Sequence, residues 1–272
     1  TTDYQQLTIN RKQYFMNQTT PETPGAALYE TSEIVSQYMS FHYGPDIFRI
    51  RNFPTACIEF LKSALSFKDN DRCLDVGCAV GRSSFELAKH FTHVDAVDYS
   101  SGFIDAAKAL QQNGVARYTV PTEGKLTLDC QLSLKSLVSI DIANRVNFHT
   151  GDACDLPESM CDYDLVFAGN LIDRLYQPKL FLDSMAHRIR DGGWLVITSP
   201  YTWLEEYTPT HHWLGGYTDK NGDPIDTMTG LAQALHPEFK LHCREDIPFV
   251  IRETARKHQH TIAELTAWQR SE

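Results

Sequence analysis

The chain has 272 residues and a formal net charge of -10. That acidic balance repels phosphate backbones and disfavours nucleic acid as a substrate, since the most basic short run, Arg252 to His258, itself contains Glu253. No apolar run approaches the ~18–20 residues that cross a bilayer. The seven cysteines fall inside apolar or helical patterns, which reads as reduced thiols in a cytoplasmic protein and not as a disulfide framework.

Residues 1–25 are polar, contain Pro21 and Pro24, and read as a linker or arm ahead of one domain over residues 26–272. Tyr29 to Gly44 carries Ile34, Val35, Tyr38, Met39 and Phe41 at helical spacing, with Thr31 or Ser32 as the cap and Gly44 as the stop. A second helix starts near Pro54 and turns Ala56, Cys57, Phe60, Leu61, Ala64 and Leu65 to one face.

Strand and helix then alternate. Strand Cys73–Val76 leads to helix Arg82–His90, and strand Val94–Val97 to helix Gly102–Gln111. Strand Val146–His149 follows a long excursion. Strand Asp164–Ala168 leads to helix Pro178–Arg190, and strand Trp194–Thr198 comes next. Further extended segments lie around Phe239–Arg244 and His258–Trp268. The pattern predicts an α/β fold with a doubly wound, mostly parallel sheet. Two insertions interrupt it, at about 115–140 and 200–230. The first reads as a hairpin with Pro121 and Gly124 at its turn. The second is rich in aromatics. Both are expected to help cover a pocket.

The first strand runs into Asp75, then Gly77-Cys-Ala-Val-Gly81, then a helix. This Asp-x-Gly-x-x-x-Gly arrangement resembles motif I of class I S-adenosylmethionine (SAM) methyltransferases. A dinucleotide fingerprint instead reads GxGxxG and binds an anionic pyrophosphate, which a carboxylate at the strand end repels. The SAM ammonium and sulfonium suit an acidic pocket. Companions follow at later strand ends: Asp98 with Tyr99 for the ribose, Asp152 with Ala153 for the adenine edge, and Asn170 beside the reacting methyl. Gly77, Ala79, Gly81 and Arg82 complete the cofactor set. The resemblance implies a Rossmann-like seven-stranded sheet with N-terminal helices and lid insertions. It also implies SAM as cofactor and S-adenosylhomocysteine (SAH) as product. Separately, Cys154 and Cys161 are too far apart for a CxxC knuckle and no HExxH or His-rich cluster occurs, so no metal is expected.

Strings outside those motifs carry a narrower resemblance. "YET" (Tyr29–Thr31), "FHYG" (Phe41–Gly44), "NLIDRLYQP" (Asn170–Pro178), "SPYTWLEEYTP" (Ser199–Pro209), "WLGGY" (Trp213–Tyr217) and "PFVIRETARKHQH" (Pro248–His260) look like the methyltransferase domain of the ovothiol-biosynthesis enzymes. That family joins a non-haem-iron sulfoxide synthase to a methyltransferase acting on 5-thiohistidine. The resemblance implies a small-molecule acceptor. With no initiating Met, the chain reads as excised from a longer one that carries an upstream iron domain. Asn170 and Asp173 are then the catalytic candidates. Tyr29, His42, Tyr43, Asp173, Arg174, Tyr201 and Trp203 are the substrate-binding candidates. The alternatives are a methyltransferase for another small amino-acid-like or thiol-bearing acceptor, or a catalytically silent SAM-binding module.

Overall fold

A computed structural model describes residues 31–67 and 71–271. Two helices, α1 (Ser32–Tyr43) and α2 (Phe53–Ala64), precede the sheet. The Thr31 side chain caps α1 by accepting from the Ile34 N–H, and Asn52 caps α2 by accepting from Thr55. Alternation begins with β1 (Arg72–Val76), α3 (Arg82–Leu87), β2 (His93–Asp98) and α4 (Ser101–Asn113). A hairpin of β3 (Val115–Glu123) and β4 (Leu126–Ser133) follows, then short α5 (Ile140–Ala143), β5 (Val146–Thr150) and β6 (Tyr163–Gly169). The chain continues through α6 (Pro178–Arg188), β7 (Ile189–Ser199), a small ribbon of β8 (Tyr217–Thr218) and β9 (Pro224–Ile225), and α7 (Thr227–Leu235). It ends in β10 (Phe239–Arg252) and β11 (His258–Arg270).

Seven strands form one sheet in the order β10-β11-β7-β6-β1-β2-β5. Strands β5, β2, β1, β6 and β7 are parallel, and β11 runs antiparallel to both β7 and β10. This is the Rossmann-like, doubly wound and mostly parallel sheet that the alternation predicts. Alternate residues face opposite layers. Cys73, Leu165 and Phe167 pack with α1 to α4 on one side, while Leu74, Val166 and Ala168 pack with α6 and α7 on the other. Burial on both faces explains why these strands read as nearly unbroken apolar runs.

Three sequence expectations change. Helix α6 stops at Arg188, and Asp191 to Gly193 belong to β7, where Gly192 (φ +74°) falls within a break in register between Ile189 and Trp194. Strand β10 extends to Arg252 through Pro248, which the sheet's outermost strand tolerates because no strand among the described residues lies beyond it. The 115–133 hairpin turns at Gly124, with Pro121 inside β3 at a register shift. It packs behind α1 and α4 and contributes nothing to the wall of the cavity at the carboxyl ends of the parallel strands, contrary to its expected role as a cover. From the 200–230 insertion, Pro200 and Tyr207 reach that wall.

Candidate functional site

A cavity of about 390 Å³ opens at the carboxyl ends of the parallel strands. Open α/β sheets place ligands at this edge. The loop after β1 is tied to its neighbour: the Gly77 and Cys78 N–H groups both donate to the Val97 carbonyl, at 2.8 and 3.1 Å. The Ala79 N–H donates to Asp98 Oδ2 at 2.8 Å. Gly77, Ala79 and Gly81 all take left-handed backbone, with φ of +75°, +47° and +84°. Asn170 (φ +50°) and Tyr201 (φ +53°) do the same after β6 and β7. Left-handed non-glycine residues cost about 1–3 kcal/mol each and persist where surrounding contacts hold them. Here three of them rim one sheet edge.

Of the cofactor candidates, Gly77, Ala79, Asp98, Tyr99, Asp152, Ala153 and Asn170 line the cavity. Asp98 Oδ1 accepts from the Ser100 N–H. Asp152 accepts from the Cys154 N–H and the Tyr176 hydroxyl. Asn170 Oδ1 accepts from the Thr198 hydroxyl, which leaves the amide nitrogen as the group it offers a ligand.

Asp75, Gly81 and Arg82 stand off the wall. Asp75 is buried beneath the loop, where its Oδ2 accepts from the Ser83 and Ser84 hydroxyls at 2.7 and 2.6 Å. Ser83 itself lines the cavity, so Asp75 orients the first turn of α3. Burial raises its pKa to about 6, against the opposing pull of the two serines. A carboxyl whose folded pKa lies above its unfolded value contributes stability that is complete below the unfolded pKa and lost as pH rises through the folded one. Asp75→Asn is therefore expected to melt higher than wild type at pH 8, by up to about 3 kcal/mol of stability. The gap should vanish below about pH 4. Melting curves across pH test this; a lower-melting variant at pH 8 would show that the carboxylate is stabilised where it lies.

The roof is α1. Ile34, Gln37, Tyr38, Phe41 and His42 face the cavity, spaced as one helical face. Asn52 Nδ2 donates to the Phe41 and His42 carbonyls and so fixes the end of α1 on the cap of α2. The Tyr43 hydroxyl donates to the Val80 carbonyl at 2.7 Å, which pins α1 to the glycine loop. Arg82 bonds Glu86 and Thr55, joining α3 to α2. Tyr43 and Arg82 are thus buried clamps that hold the roof over the loop; neither lines the cavity, as a ligand contact would require.

Trp203 and Tyr201 also point elsewhere. The Trp203 indole stacks on Trp213 and donates to Thr227, and the Tyr201 hydroxyl donates to Glu264 at 2.7 Å. Tyr29 lies outside the described residues. His42, Asp173 and Arg174 do reach the wall. Asp173 is fully buried, and its Oδ2 accepts from Arg174, the Thr202 N–H and the Thr202 hydroxyl. Burial raises its pKa, opposed by Arg174. Arg174 also donates to the Asp173 and Thr202 carbonyls and lies 4.9 Å over the Tyr207 ring.

Sequence reading missed Ser83, Tyr38, Phe103, Tyr176, Tyr207 and Phe249 on the wall. Tyr38, Phe103 and Phe249 carry the helical or strand periodicity of ordinary core residues, Ser83 is a polar residue in the first turn of α3, and Tyr176 and Tyr207 lie in loops without periodicity. An apolar face looks the same in sequence whether it covers core or a chamber.

The chemistry of the wall fits SAM. Two carboxylates, Asp98 and Asp152, stand at successive strand ends and suit a ribose diol and an amino-purine edge. Neither suits a pyrophosphate. A loop that brings bare backbone to the first strand end leaves room for the methionine part.

A family model described as a methyltransferase domain matches residues 49–240. A ubiquinone biosynthesis O-methyltransferase from Hydrogenovibrio crunogenus is 24% identical over 143 residues, covering 52% of this chain and 47% of that protein. The match thus spans about half the length of that relative. Among solved structures, the [4+2]-cyclase SpnF is similar at a TM-score of 0.58 and 13% identity, covering 90% of this chain and 95% of that one. A structure from Listeria monocytogenes assigned as an S-adenosylmethionine-dependent methyltransferase gives 0.50 and 15%, covering 80% and 100%. At such identities these two likenesses concern the fold, while the family model covers well over half of the sequence. Together with the carboxylates ranged along the sheet edge, it shows that the chain belongs to the methyltransferase-domain family of S-adenosylmethionine-dependent enzymes.

Proposed function

We propose that this enzyme methylates the side-chain-proximal ring nitrogen of 5-thiohistidine, giving ovothiol A and SAH. One observation carries the reading. Strings that resemble the ovothiol methyltransferases, far apart in sequence, converge on one cavity. "FHYG" supplies Phe41 and His42, and "NLIDRLYQP" supplies Asn170, Asp173, Arg174 and Tyr176. "SPYTWLEEYTP" supplies Pro200 and Tyr207, and "PFVIRETARKHQH" supplies Phe249 and Ile251. The volume, about 390 Å³, lies within the ~300–1,000 Å³ typical of small-molecule sites.

When bound, SAM supplies an electrophilic methyl on a sulfonium, so no strong base is obligatory. The residues have to orient the acceptor, with its nitrogen about 3–3.5 Å from the methyl. Asp98 and Asp152 hold the nucleoside. Asn170 offers its amide nitrogen at the fourth parallel strand end. Arg174 is held rigid by Asp173 and Thr202 and suits the acceptor's carboxylate. Asp173 Oδ2 accepts three bonds and so holds Arg174 in place, while its Oδ1, buried without a hydrogen-bond partner, is the oxygen left to accept the N–H of the acceptor's other ring nitrogen.

Incubation with SAM and 5-thiohistidine, with histidine in a parallel tube, tests this by mass spectrometry. The reading predicts a singly methylated product from thiohistidine. Asn170→Ala should turn over at least about tenfold more slowly, a loss on the scale of one hydrogen bond, with SAM affinity nearly unchanged. SAM binding without methylation of thiohistidine would point to another small acceptor or a silent module.

A further inference from the structure

We propose that His42 is the specificity-determining residue for the acceptor, a neutral imidazole that donates Nε2–H to the thiolate sulfur of a flat heteroaromatic ring. The inference rests on the methyl-acceptor reading of the cavity and names the group that reads the acceptor there.

His42 is 8% exposed and lies on the cavity wall. Its Nδ1 is sealed from solvent without a hydrogen-bond partner. A buried N–H without a partner is the costlier orphan, so the favoured tautomer leaves Nδ1 bare and puts the proton on Nε2. Burial and the nearby Arg82 lower the imidazole's pKa to about 3, so the ring stays neutral at any physiological pH. Nε2–H has no hydrogen-bond partner among the described residues and is not sealed as Nδ1 is, so it is the donor this ring offers to a ligand acceptor atom.

The surroundings select a flat ring. Tyr38 lies 5.8 Å from His42 and Phe41 lies 5.3 Å away. Phe41 meets Phe249 at 5.6 Å, Phe249 meets Phe53 at 4.8 Å, and Tyr38 meets Phe103 at 4.6 Å. All of these line the cavity. Their faces and edges suit an offset-stacked heteroaromatic ring. In 5-thiohistidine the sulfur and the proximal nitrogen sit on opposite sides of the ring. A donor that grips sulfur therefore turns the nitrogen away from itself and toward the methyl. This answers the selectivity problem that a nucleophilic thiolate poses.

The test is calorimetry on SAH-loaded protein, titrated with 5-thiohistidine, 2-mercaptoimidazole, histidine, imidazole and indole, for wild type, His42→Phe and His42→Gln. SAH affinity, expected to stay within about threefold, reports that each variant is folded. His42→Phe should weaken 5-thiohistidine by at least about tenfold, while His42→Gln, which keeps an N–H, should lose less. If a different thiol-bearing ring, 2-mercaptoimidazole, binds with this dependence on His42 while 5-thiohistidine does not, the inference stands and the 5-thiohistidine reading falls; the same dependence for a ring without sulfur overturns the inference. Equal acceptor affinity in wild type and His42→Phe, or a wild type that binds none of the rings, overturns the inference. A second readout needs no variant: the His42 ¹⁵N resonances should show a neutral Nε2–H tautomer that shifts when 5-thiohistidine is added. A protonated ring, or resonances that stay put when it binds, also overturns the inference.

Discussion

Replacing Asp98 by Ala is expected to weaken SAM binding by about a hundredfold or more. The carboxylate does two things at once. Its oxygens accept from the Ala79 and Ser100 N–H groups, at 2.8 and 2.9 Å, and so tie the glycine loop to the end of β2. It also lines the cavity at the position where a ribose diol would lie. A hydrogen bond to a charged group contributes about 1.5–3 kcal/mol, and two such bonds amount to about two decades or more of affinity. Asp98→Asn should not restore binding, because the amide nitrogen would face a backbone N–H with a second donor. Calorimetry with SAM checks this. Affinity within about threefold of wild type would move the nucleoside away from β2.

Gly81→Ala is expected to be the most disruptive change in the loop. Gly81 takes φ +84° as the cap of α3, and an added Cβ would lie 2.7 and 2.8 Å from Phe148 ring atoms and 3.2 Å from the Ala107 Cβ. Left-handed backbone costs an alanine about 1–2 kcal/mol. Displacing a buried ring adds about 1–3 kcal/mol. A total of about 3 kcal/mol lowers the melting temperature by about 10 °C in a chain of this size. SAM affinity should fall with it, since Phe148 supports the loop from β5. Gly124→Ala is the matched control: φ is +55° there, but nothing among the described residues lies within 4 Å of the added Cβ, so only the backbone strain remains. Gly81→Ala melting within about 2 °C of wild type would mean that the loop relaxes freely.

The alternation from β1 to β7 was legible because parallel strands buried on both faces leave short apolar runs, and Asp98, Asp152 and Asn170 punctuate their ends. The chemistry of each strand end follows from the chain direction alone, and the structure sets these residues around one cavity. What was not legible depends on rotation about a helix or on long-range pairing. Tyr43 and His42 are neighbours in sequence, yet one clamps the Val80 carbonyl and the other faces the cavity. Arg82 follows the glycine loop directly, but its partner is Glu86 one turn on, so a motif residue becomes a strut. Trp203 and Tyr201 come just after a strand end and still turn to Thr227 and Glu264, partners supplied by α7 and β11. Pro248 hid the length of β10, because a proline argues against a strand until that strand proves to be an edge.

The central claim is that the chain places a methyl on one particular nitrogen of a thio-imidazole. The most direct measurement uses SAM labelled with ¹³C at the methyl and a two-dimensional carbon–proton correlation spectrum of the product from 5-thiohistidine. The account predicts a methyl on the side-chain-proximal ring nitrogen, with long-range couplings to the adjacent ring carbons. A methyl on sulfur or on the far nitrogen, or no labelled product from a protein that binds SAM, would contradict it.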